Sequence, residues 1–130
     1  MRRLLSGGAS QITIVCDAAG PGQVVLELMN AWTPAPRLVP ITITGGQSHS
    51  ETKSGTQTVP RRTLIANLAD SLRKNRVSVT RASPNAEHWI KELAAIRTDG
   101  RQYEQDDLAI ATALAVWSAR CPENKISEKR

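Results

Sequence analysis

Residues 12–22 read ITIVCDAAGPG, and the parsing of this stretch decides the fold class. Ile12 to Cys16 is a short apolar run rich in β-branched residues, as a buried strand requires, and it stops at Asp17. The segment from Asp17 to Gly22 reads as a tight turn. From Gln23 to Trp32, apolar residues at 24, 25, 28 and 29 have the spacing of a helix face, and Pro34 and Pro36 stop the helix. A strand, a glycine-rich corner and a helix in that order open an α/β domain.

The pattern continues towards the C-terminus. Arg37 to Thr44 predicts a second strand, with Leu38, Val39, Ile41 and Ile43, bounded by Gly45 and Gly46. Residues 45–58 are polar and rich in Gly, Ser and Thr, so a long flexible loop is expected there. Pro60 suits the first turn of a helix running to about Lys74, with Leu64, Ile65, Leu68 and Leu72 inward. Val77 to Val79 admits a short strand. Ser83 and Pro84 open a helix to about Arg97, carrying Ala86, Trp89, Ile90, Leu93 and Ile96, and Asp99-Gly100 marks a turn. The last helix runs from about Gln105 to Ala119 and is small or apolar on most sides, so burial is expected. The expected whole is α/β, a short and mainly parallel sheet packed by helices over residues 11–120. A disordered leader (1–10) and a charged tail (121–130) flank it.

Composition sets the class. A chain of 130 residues suits one domain, and a hydrophobic fraction of 40% beside 22% charged residues fits a globular rather than a disordered protein. With three Trp, one Tyr and no Phe, the core falls to Leu, Ile, Val and Ala. A net charge of +5 favours a polyanionic partner. Arg61, Arg62, Arg73, Lys74, Arg76 and Arg81 cluster in the chain, which fits either such a partner or a solvated helix face with basic flanks. Cys16 and Cys121 lie far apart, without a second Cys or a His at metal-ligand spacing, so a reduced, cytoplasmic protein is expected. No apolar run suits a signal peptide or a membrane span.

Three carboxylates carry the candidate chemistry. Asp17 closes a buried strand before a glycine turn, where α/β folds present functional groups. Taken alone, a turn-forming or capping role is the simpler reading of this residue. Asp106 and Asp107, preceded by Glu104, open the last helix, where both gain from the macrodipole and either can cap. Because that helix is apolar enough to be buried, its acidic start is expected at the edge of the sheet, beside the end of the Asp17 strand. A hard cation takes oxygen ligands drawn from separate elements in this way. Other motifs fall short. Gly20-Pro21-Gly22 begins like a dinucleotide fingerprint, but Val25 stands where its third Gly belongs, and no phosphate-binding loop of the GxxxxGK[ST] kind occurs. Cys16 reads as a core residue, and neither His49 nor His88 has a partner that would make it catalytic.

Five segments resemble the nuclease domain of phage terminase large subunits, in that family's order and at similar separations. They are ITIVCDAAGPG (12–22), VPITITGG (39–46), VPRRTL (59–64), KELAAI (91–96) and DDLAIATALAVW (106–117). The resemblance covers about residues 11–119. It implies an RNase H-like fold that cuts concatemeric viral DNA during packaging, in the cytoplasm of a bacterial host, with two Mg2+ or Mn2+ ions. Of that family's metal-binding acids, one falls on Asp17 and the last-helix acid on Asp107, with Asp106 beside it. The loop at 45–58, with Lys53, matches a region near DNA in relatives. Arg61 and Arg62 stand where basic residues precede the next helix, and Arg73 and Lys74 complete the candidate contacts to double-stranded DNA.

Departures from the family pattern qualify this. The opening β-meander, with the family's first catalytic Asp, has no counterpart in residues 1–11, and the ATPase domain is absent. Gln105 stands where relatives carry His. The resemblance therefore implies an N-terminally truncated, partial RNase H-like fold with an incomplete metal site, weak or inactive alone. Its partners would be DNA and either the ATPase domain or a chain supplying the missing strands. A non-catalytic nucleic-acid-binding module and another RNase H-like nuclease, such as a junction resolvase, are the alternatives.

Overall fold

A computed structural model describes residues 13–32, 36–45, 50–51, 56–96 and 106–120. Among these the chain order is β1 (Thr13–Asp17), α1 (Pro21–Asn30), β2 (Arg37–Thr44), β3 (Ser50–Glu51), β4 (Gln57–Pro60), α2 (Arg61–Arg73), α3 (Ala86–Ala95) and α4 (Asp107–Arg120). The strands form one sheet in the order β1-β2-β4-β3, with β1, β2 and β4 parallel and β3 antiparallel to β4. The fold is α/β, with a short, mainly parallel sheet, as the sequence suggests.

The sheet is staggered. β1 pairs with residues 37–41 of β2, whereas β4 pairs with 41–44, so Ile41 alone is flanked on both sides. Its row runs Asp17, Ile41, Gln57, Glu51 across all four strands. The stagger explains Pro40, a residue that central strands normally reject for want of an N–H. The Ile41 carbonyl accepts from Ala18 N–H at 2.8 Å and so faces β1. Backbone alternation turns the Pro40 nitrogen the other way, where the β4 ladder has not yet begun.

The main core lies between the sheet and the α2–α4 pair. Val39, Ile41 and Val59 meet Leu64 and Leu68 of α2 and Ala113, Leu114 and Trp117 of α4. Residues 39 and 41 share a strand face, while 64 and 68, like 113 and 117, share a helix face, so both periodicities converge on one layer. Leu64, Ile65 and Leu68 are at most 1% exposed, and burying each stabilises the fold by ~1.5–3 kcal/mol. Helix α2 stops cleanly: Asn75 adopts φ 53°, its N–H donates to Leu72 O at 3.1 Å, and Arg76 N–H donates to Ser71 O at 2.9 Å. These two bonds form a Schellman motif with Asn in the left-handed position.

Several expectations need correction. The stretch 45–58 is not simply a loop, since it contributes β3 and the start of β4, whose Gln57 is buried. Pro60 ends β4 and precedes α2 rather than lying in its first turn. Val77–Val79 forms no strand. Helix α1 starts at Pro21, and three of the four apolar positions expected to face inward, Val24, Val25 and Leu28, are exposed while Leu26 is buried. Ile90 of α3 is likewise exposed, and Cys16 is half-buried rather than in the core. The leader, the tail, the turn at 99–100 and residues His49, Lys53, Glu104, Gln105 and Cys121 lie outside the described residues.

A candidate acidic cleft at the carboxyl end of the strands

Asp17 is held by local geometry that only this sequence of small residues allows. Its Oδ1 accepts from Ala19 N–H at 2.9 Å, which closes an Asx turn. Gly20 then takes φ 53° and ψ −122°, a conformation open to glycine, and Pro21 starts α1 with its fixed φ. A Cβ on Gly22 would lie 1.6 Å from the Asp17 carbonyl oxygen, so no larger residue fits that contact. The turn-forming role anticipated for Asp17 is thus real, and it occupies one carboxylate oxygen. The other has no partner among the described residues. Burial, and then the Asp17 charge beside it, push the Cys16 thiol pKa up.

Asp106 and Asp107 are not used as their position suggests. The Asp106 carbonyl accepts from Ile110 N–H at 2.8 Å, which makes Asp106 the N-cap residue of α4. An N-cap aspartate normally accepts from the N–H groups two and three residues on. Here those donors, Leu108 N–H and Ala109 N–H, go to Glu92 Oε2 of α3, at 2.7 and 3.0 Å. Glu92 is buried, and its Oε1 lies 3.2 Å from His88 Nε2. One helix therefore caps the next, and the Asp106 carboxylate is free to pair with Arg61 at the start of α2. Arg61 and Asp106 are both largely buried, and the Arg61 Nε has no hydrogen-bond partner among the described residues. Trp89 Nε1 donates to Thr112 Oγ1 at 2.8 Å, a second tie between α3 and α4.

These elements meet at a cleft of about 540 Å3 lined by Asp17, Thr44, Gly45, Arg61, Asp106 and Asp107, with Ile43, Ile110 and Leu114 as an apolar wall. It sits at the carboxyl end of the parallel strands, where α/β sheets commonly place ligands. The structure brings together the three candidate acids and Arg61. Arg62, one residue further, is exposed. Arg73 and Lys74 are exposed at the other end of α2, ~18 Å along the helix, and Lys74 Nζ contacts Asp70 at 3.1 Å.

The donor set does not fit a two-ion centre. Among the described residues no group of three or more His, Cys, Asp or Glu could hold a metal ion. Asp106 already faces a guanidinium, and Asp17 gives one oxygen to the backbone.

Sequence reasoning missed Glu92. The available signal was its place in the stripe Trp89, Glu92, Leu93, Ile96, which is the inward face of α3 by spacing. A carboxylate on such a face needs a partner, but nothing in the chain order says that the partner is the start of α4. Compared with protein families, curated proteins and solved structures, the chain finds no match.

Proposed function

We propose that this chain is a piece of an RNase H-like nuclease domain of the phage terminase large-subunit class. On this reading it engages double-stranded DNA at the acidic cleft and its basic flanks. Its Mg2+ or Mn2+ site is incomplete, so endonucleolytic cleavage is weak or absent in the chain alone. The observation that carries the reading is the meeting of Asp17 with Asp106 and Asp107 in one cleft at the strand ends. Carboxylates from separate elements are the donor type that such cations take, but the acids among the described residues do not make a two-ion site by themselves, and on this reading the first acid of that family would come from strands beyond β1. The outer edge of β1, which pairs with no strand among the described residues, is where a partner chain or a further segment would add them.

The Arg61–Asp106 pair favours a second reading, a nucleic-acid-binding module without catalysis, because the guanidinium already neutralises one of the three acids. Two measurements separate the readings. The first is DNA affinity against salt, with and without Mg2+. Phosphate contacts give a log–log slope of about −0.9 per contact in either case, whereas Mg2+-dependent binding points to the nuclease class. The second is incubation of supercoiled plasmid in Mn2+ buffer. Little or no linearisation is expected. Efficient cutting that disappears in Asp107→Ala would show the site to be complete, and no DNA binding at low salt would end both readings.

A further inference from the structure

We propose that Glu92 is a positioning residue that keeps the Asp106 carboxylate against Arg61 in the cleft by occupying the first-turn donors of α4. Two acceptors compete for the first-turn donors of α4. Asp106 is the N-cap residue, so its carboxylate needs only a side-chain rotation to reach Leu108 N–H and Ala109 N–H. Glu92 Oε2 occupies both donors from α3 instead. The consequence reaches across the fold, since Asp106 turns to Arg61, which lines the cleft with it. Burying a second carboxylate is costly, and a self-capping Asp would have spared it. The arrangement makes sense if the position of Asp106 is what Glu92 secures. The second Glu92 oxygen lies 3.2 Å from His88 Nε2, one turn earlier on the same helix.

In the alternative state, Asp106 caps α4 and Arg61 loses its carboxylate. The cleft then presents a guanidinium without its counter-charge. Glu92 thereby sets whether Arg61 is neutralised within the cleft, whose other acids, Asp17 and Asp107, stay in place. This gives functional meaning to the proposed cleft and rests on that reading for its meaning, but its geometry is tested without metal or DNA.

The experiment is NMR of the full chain, comparing wild type with Glu92→Ala, Glu92→Gln and Asp106→Ala. In Glu92→Ala the Arg61 Nε–H resonance should shift and exchange faster as Asp106 leaves, while the Leu108 and Ala109 amides stay protected by their new acceptor. Glu92→Gln, whose amide oxygen still accepts, should restore the wild-type Arg61 signal. In Asp106→Ala the Arg61 signal changes, but Leu108 and Ala109 exchange should move by less than about fivefold, the scale of one lost cap. An unchanged Arg61 signal in Glu92→Ala overturns the proposal, because Glu92 would then be only a structural tie. Loss of Leu108 and Ala109 protection in Asp106→Ala also overturns it, and that variant answers the question even if Glu92→Ala does not fold. Failure of DNA or Mn2+ binding bears on the proposed function and leaves this result standing.

Discussion

The two sides of the sheet are built to different standards. On the α2–α4 side, Leu64, Leu68, Ala113 and Trp117 close over Val39, Ile41 and Val59. On the β1–α1 side, no residue of β1 is fully buried, Leu26 is the one buried residue of α1, and Val24 and Leu28 are 57% and 64% exposed. The outer edge of β1 pairs with nothing among the described residues. It carries neither Lys nor Pro to discourage pairing. The difference shows where the described residues bury apolar surface and where they leave it exposed. The cleft straddles the two, taking Asp17 from the thin side and Asp106 and Asp107 from the thick one. Its geometry is therefore only as firm as the corner that ties β1 to α1.

Substitutions can break or sharpen this contrast. The largest effect is expected at Trp117→Ala, which should cost ~3–5 kcal/mol in urea unfolding. Leu26→Ala should fall well short of that, and equal losses would erase the distinction between the sides. Next comes Arg61→Ala, which strands the largely buried Asp106 carboxylate and should cost ~2–4 kcal/mol. Adding Asp106→Ala should recover part of the loss, and a double-mutant cycle without coupling would argue against the pair. Gly22→Ala forces the Asp17 carbonyl aside and should cost ~1–3 kcal/mol, with backbone NMR shifts concentrated at 16–22. Leu28→Gln should change stability by no more than ~0.5 kcal/mol. A larger loss would mean that the outer face of α1 is covered in solution.

The smallest effect is expected at Asp70. The hydrogen bond from Lys74 holds its carboxyl below the usual aspartate range, and the Lys74, Arg120 and Arg73 charges add to this. A pKa lower in the folded than in the unfolded state stabilises above the ordinary aspartate range and is lost as pH falls through the folded value. Thermal melts of Asp70→Asn should therefore differ slightly from wild type at neutral pH, converge with it in acid, and lose the difference at high salt.

Much of this architecture was legible in the residues. The β-branched run before Asp17, the strand over 37–44 and the helix stripe Leu64, Ile65, Leu68, Leu72 announce themselves by period. So does the all-round apolarity of α4. What escaped depends on neighbours. β4 contains Gln57 and Thr58 inside a polar tract, and only pairing on both sides makes a strand of it. The apolar positions of α1 have the right spacing for a face, but spacing cannot say which side meets a sheet, and here the outward side holds most of them. For the cleft, the acids are visible in the sequence, whereas their convergence depends on how α4 packs against the sheet. The Glu92 cap and the Arg61 pair were hidden because both partners are far apart in the chain, 16 or more residues for Glu92 and 45 for Arg61.

The stagger of β2 has a mechanical consequence. Because its first half serves one neighbour and its second half the other, the sheet is a two-stranded ribbon, β1–β2, joined at the Ile41 row to a three-stranded one, β2–β4–β3. A two-stranded ribbon is marginal by itself, so opening of the β1 end need not travel to the other. Amide exchange should report two separate opening events, the slowest protons clustering around Ile41, and the β1 ribbon could fray or accept a new strand while the β4 ribbon stays shut.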